Sequence, residues 1–158
     1  MLTADQLIAH AVGDYLLQSD WMAQEKTKRS IAAAAHALVY SLPFLFLRPS
    51  LLAWAVIVGT HFILDRWRLA RYVVWAKNLL APRWLRTCEH TDRPARWPYI
   101  MSGICAICDK PALRVKPWRE CSATGYDPDR PAWLTVWLLI IADNVMHALC
   151  NAAALRWL

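Results

Sequence analysis

Glycine is scarce in this chain, with four residues in 158, and the five cysteines are an odd number. An odd cysteine count offers no disulfide framework, so reduced thiols facing a cytoplasm are expected. The N-terminus shows no cationic n-region and no small-residue cleavage site, so a secretory signal is not expected there. Charge is sparse in the apolar runs and gathered mostly between them. Thirteen of the eighteen Lys and Arg residues fall between Arg66 and Arg130, although the chain is 58% apolar and carries ten Trp. A soluble domain of this length rarely separates its greasy and charged residues so sharply. The pattern is that of a membrane protein.

The apolar runs predict an all-α fold: a polytopic membrane four-helix bundle forming a single domain over 1–158. Helices are expected over about 3–22, 30–47, 51–80 and 131–157, with a basic cytosolic loop subdomain over 82–131. A span needs about 20 apolar residues. The second and fourth runs meet this, the third does so if its first basic turn lies at the interface, and the first is the most polar. Trp21, Trp54, Trp67, Trp133 and Trp157 fall near helix ends, where an interfacial aromatic belt would place them. With four spans, the cation-rich loops after helices 1 and 3 share one side. The positive-inside rule then predicts a multi-pass protein of the bacterial inner membrane with both termini outside.

Inside these runs lie polar pairs four residues apart: His10 with Asp14, His36 with Tyr40, His61 with Asp65, and Asp143 with His147. Residues at that spacing share a helix face. Helices 1 and 3 read His then Asp, and helix 4, which runs the other way, reads Asp then His. The groups therefore form level layers. Ionisable groups inside a membrane mark functional sites, although the same groups could instead make a hydrogen-bond network that locks the bundle.

Imidazole and carboxylate donors together suit zinc, manganese or iron, and bundles build one-metal or two-metal centres from inward-facing side chains. The expected ligands are His10, Asp14, His61, Asp65, Asp143 and His147. His36 is a further ligand or a general base, with Tyr40, Gln18 and Asn151 orienting groups around them. Lys26 and Arg66 are expected at the cytoplasmic rim, where they would hold a phosphate. Two metals can activate water against a phosphoester, so the leading expectation is a metal-dependent hydrolase acting on a phosphorylated small molecule or lipid at the cytoplasmic leaflet. A metal-ion or proton carrier, a di-iron membrane oxidoreductase and a phage-type membrane interaction protein are the alternatives. In the basic loop, Cys88, Cys105, Cys108 and Cys121 have the residue types of a second zinc site, though a lone CxxC is a weak signal. The loop's cations suit anionic lipid better than nucleic acid.

The segment from His10 through Asp14 and Gln18, with Met22, Lys26, His36, Tyr40, His61, Asp65, Asp143, Asn144 and His147, resembles a small bacterial and phage membrane family, domain of unknown function 3307. The resemblance covers essentially the whole chain except the cysteine-bearing loop, and it carries no established activity. The His-x3-Asp helices are similar in style to inner-membrane proteins predicted to be metal-dependent hydrolases, a likeness of pattern only.

Overall fold

A computed structural model of the chain describes residues 2–80, 117–128 and 130–158, and its described elements are all helical. They fall in two compact units, Met1–Ala70 with Trp137–Leu158, and Arg71–Val136.

In the first unit, α1 (Ala4–Ala11) opens on a capping box in which Thr3 and Gln6 satisfy each other's backbone N–H groups. It widens directly into a π-helical turn, Val12–Leu16. Ser19 then caps a short α2 (Asp20–Glu25). The single first helix expected over 3–22 is thus three pieces, because the π turn and the Ser19 cap each interrupt the α-helical ladder. Helix α3 (Ser30–Ser41) tightens into a 3-10 segment, Leu42–Leu47, at Pro43, and the chain reverses through Arg48 at φ 52°. Ser50 caps α4 (Leu51–Arg66), which stops at a left-handed Arg68 (φ 49°) instead of running on to residue 80. The last helix, α6 (Ala132–Trp157), is unbroken for 26 residues.

Helices α1 and α4 run parallel to one another, and α3 and α6 run against them. Thr3, Gln6, Ser50 and Leu158 consequently line one cavity of about 280 Å³ at one end of this unit. There the Ser50 hydroxyl donates to the Leu158 carbonyl at 2.9 Å. Next along the helices comes a dry layer of Ala9, Phe44, Ile57 and Ala154. Beyond it the buried residues turn polar: His36, His61, His147, Asn151 and Asp65 are each at most 4% exposed. Gly13 permits the close packing of the π turn on α3. A Cβ there would stand 2.5 Å from the Tyr40 carbonyl oxygen and 2.8 Å from its ring.

The outside is apolar. Phe46 is 88% exposed, Leu51 81% and Leu16 75%, and along α6 the exposed Trp137, Ile141, Val145 and Leu149 recur every four residues. Ser30–Leu47 and Ala132–Trp157 are long and apolar enough to cross a membrane, with mean hydropathies of 1.7 and 1.6. At 1.5 Å per residue, 26 residues reach about 39 Å against a hydrocarbon core of roughly 30 Å.

The second unit holds α5 (Ala70–Leu79) apart from its first residue, a 3-10 turn at Trp118–Glu120, and the start of α6. Arg71 lies over the Tyr72 and Trp118 rings at 4.9 and 4.8 Å. Gly125, at φ 80°, presses against the Arg71 carbonyl, an approach and a backbone conformation that together suit glycine alone.

Candidate metal centre

Four elements aim side chains at one buried point in the first unit. Helix α4 is regular, so His61 and Asp65 meet as their spacing dictates, with His61 Nε2 3.1 Å from Asp65 Oδ2. The first pair behaves differently. The π turn adds a residue to the helical repeat between His10 and Asp14 and re-aims the carboxylate, a frequent use of π bulges. Asp14 Oδ2 is left 4.0 Å from His10 Nε2, while Asp14 Oδ1 reaches His36 Nε2 at 3.1 Å. His36 Nε2 also faces Asp65 Oδ2 at 3.2 Å, and His61 Nε2 faces Asp14 Oδ1 at 3.9 Å.

These four contacts close a ring of alternating nitrogen and oxygen: His36, Asp14, His61, Asp65. Donors about 2.1 Å from one tetrahedral ion would be about 3.4 Å apart; three of the ring's edges, at 3.1 to 3.2 Å, are slightly shorter than that and the fourth, at 3.9 Å, is longer. Helix α6 adds His147, whose Nε2 is 3.5 Å from Asp65 Oδ1 and 3.5 Å from Asp143 Oδ2. Two sets of three donors, Asp14 with His36 and His61, and His61 with Asp65 and His147, each lie within 4.8 Å of one another.

Hydrogen bonding alone does not satisfy this cluster. His36 Nε2 faces two carboxylate oxygens and the Lys26 ammonium, yet one ring nitrogen offers a single proton or a single lone pair. His61 Nε2, His147 Nε2 and Asp65 Oδ2 are buried without an aligned hydrogen-bond partner among the described residues, although charged groups stand within ion-pair distance of each. Buried polar atoms are nearly always partnered. Imidazole nitrogens and a carboxylate oxygen that face one another without aligned hydrogen bonds are what a divalent cation would satisfy. The N/O donor set suits zinc, manganese or iron.

The expected site residues separate on this geometry. Asp14, His36, His61, Asp65 and His147 come together, with Asp143, a quarter exposed, at their edge. His10 faces elsewhere: its Nδ1 meets the Tyr40 hydroxyl at 2.7 Å and its Nε2 the Asn144 Oδ1 at 2.8 Å. The Asn144 amide donates to the Ile140 carbonyl, and Asn151 donates to Tyr40 Oη at 2.6 Å. The protons therefore run one way, from Asn151 to Tyr40 to His10 to Asn144, and both His10 nitrogens are used. Tyr40 in turn stacks on His61 with ring centroids 3.6 Å apart, and His61 on His147 at 4.1 Å. The relay holds the plane of a ligand ring, as partners around metal sites commonly do.

Lys26, expected at a rim, lies in the centre. Its Nζ is 3.0 Å from Asp65 Oδ2 and donates to Gln18 Oε1 at 2.9 Å. Arg66 points away from the cluster, donating to the Thr27 carbonyl at 2.8 Å and to Ser30 Oγ at 3.2 Å, so it ties the end of α4 to the α2–α3 turn. Asn144, to which the sequence pattern assigns no role, is the acceptor for His10 Nε2. Its signal was its place beside Asp143, one turn before His147. Of the cysteines proposed for a second zinc, Cys88, Cys105 and Cys108 lie outside the described residues. Cys121 follows the 3-10 turn, its thiol 3.7 Å from the Pro117 carbonyl.

The first unit is thus a helical bundle, apolar outside, around a buried cluster of His and Asp side chains. The family model described as protein of unknown function (DUF3307) matches residues 2–85, just over half of the chain and three of the four elements that build the cluster. The chain belongs to that family. No curated protein and no solved structure matches it.

Proposed function

We propose that this chain is an integral membrane, metal-dependent hydrolase acting on a phosphate ester or diphosphate at the cytoplasmic leaflet. One observation carries the reading: the buried ring of His36, Asp14, His61 and Asp65 donors at contacts of 3.1 to 3.9 Å, with an ammonium group beside it. A cation held there would act as a Lewis acid on a phosphoryl oxygen. Four protein donors would fill a tetrahedral zinc, whereas a five- or six-coordinate Mn²⁺ or Fe²⁺ keeps positions open for water and substrate. Hydrolysis therefore favours the latter ions. Lys26 would hold the phosphate's negative charge, and the Tyr40–His10 relay would keep His61 in place. Arg66 is engaged in tying two helices together and drops out of the substrate role.

The membrane part of the proposal rests on the apolar exterior. Exposed Leu and Phe side chains on α3, α4 and the 3-10 segment, and the four-residue stripe on α6, would face lipid. Exposed Trp21, Trp67, Trp133 and Trp157 stand near helix ends. We place the cation-rich end in the cytoplasm and the end holding Thr3 and Leu158 outside, by the positive-inside rule.

A carrier would need polar groups continuing to both ends. The dry layer of Ala9, Phe44, Ile57 and Ala154, between the polar centre and the Thr3–Leu158 end, weighs against that alternative. The test is hydrolysis of phosphomonoester, diester and diphosphate substrates, soluble and lipid-linked, by detergent-purified protein supplied with Mn²⁺, Fe²⁺ or Zn²⁺. Turnover that requires metal and vanishes in Asp14→Asn is expected. Absence of turnover on every class by metal-loaded protein would overturn the hydrolase reading.

A further inference from the structure

Lys26 reaches the centre from the C-terminal end of α2, past the break at Ser19. An ammonium group has three N–H bonds and accepts none. Its neighbours are Gln18 Oε1, which accepts at 2.9 Å, His36 Nε2 at 3.3 Å, and Asp65 Oδ2, which faces it as an ion pair at 3.0 Å. Two of those atoms, Asp65 Oδ2 and His36 Nε2, belong to the ring of metal donors. The single lone pair of His36 Nε2 cannot serve both a metal ion and a hydrogen bond from Lys26. A divalent ion about 2.1 Å from both donors would also stand against a fixed positive charge where little water screens it.

We infer that Lys26 and the metal ion are alternative occupants of this site: the ammonium is a resident counter-ion for Asp65 that a divalent cation displaces, and it sets how tightly that cation is held. The inference rests on the metal-binding reading and adds its regulation.

Local structure allows the exchange. Helix α2 is six residues long and buries none of them. The Lys26 side chain keeps 18% of its surface exposed against 3% for Asp65, so the ammonium has a way out and the carboxylate does not. Gln18 offers a partner outside the donor ring. Breaking a buried ion pair leaves the remaining charge uncompensated. Without Lys26, then, the pocket of Asp14 and Asp65 should draw a cation more strongly.

Full-length protein in detergent micelles, titrated calorimetrically with Mn²⁺ as wild type, Lys26→Met and Lys26→Arg, tests this. Met retains most of the stem and removes the charge. Lys26→Met should bind roughly tenfold tighter or more, and Lys26→Arg close to wild type or weaker. Amine-reactive labelling of Lys26, read by mass spectrometry on the wild type, should speed up when Mn²⁺ is added. Equal or weaker binding by a folded Lys26→Met protein would overturn the competition while leaving the metal site standing. If that variant fails to fold, labelling unchanged by metal overturns it instead. If neither wild type nor Lys26→Met binds metal, both the competition and the metal reading fall.

Discussion

The first unit buries two unlike layers, one above the other on the same helices. Toward the Thr3–Leu158 end, Phe44, Ile57, Ala9 and Ala154 pack hydrocarbon against hydrocarbon. A turn or so away, Asp14, His36, His61, Asp65 and His147 pack charge against charge. Either layer excludes water, but for opposite reasons. The dry layer is stabilised by contacts between side chains that ask for nothing else. In the polar layer, lone pairs outnumber the protons available to join them, and on the proposed reading its stability depends on a cation, whether Lys26 or a metal. Substitutions should therefore have different signatures in the two layers: in one they cost packing, and in the other they change what is bound.

Asp65→Ala should give the largest effect. Asp65 is the acid that His36, His61, His147 and Lys26 all approach. Its loss would leave the Lys26 ammonium uncompensated and should cost about 3–5 kcal/mol, together with the bound metal. Thermal unfolding and elemental analysis of the purified variant check this, and full metal retention would contradict the ring of ligands. Phe44→Ala should cost somewhat less, about 3 kcal/mol from the cavity opened beside Ile57 and Tyr40, and should leave metal content unchanged. Metal loss in Phe44→Ala would show that the two layers are coupled.

These layers were unequally legible in the sequence. His61 and Asp65 could be paired by counting, because α4 runs regularly from the Ser50 cap to Arg66. The same count at His10 and Asp14 did not hold, since nothing in His-Ala-Val-Gly-Asp announces a π turn. Gly13 hints at one only once Tyr40 is seen 2.5 Å from where its Cβ would be. His10 accordingly serves Tyr40 and Asn144 in the structure, where the sequence suggested a ligand. Lys26 was visible as a polar residue of the right chemistry, but its position depends on how the chain doubles back between α2 and α3, and periodicity along one helix carries no such information. The reversed His/Asp order of the last helix agrees with its running against α4. Of the four spans read from the apolar runs, two pass by length and hydropathy. The first is interrupted and the third turns at Arg68, breaks made by backbone conformations that composition does not display.

Whether the polar layer is a cation site can be read from the metal content of wild-type protein. Protein purified without chelators from manganese-, iron- and zinc-supplemented cultures should carry close to one transition-metal ion per chain. Asp14→Asn, still folded by circular dichroism, should carry essentially none. Wild-type protein without metal after such supplementation, or an Asp14→Asn protein with the wild-type complement, would contradict a cation site there.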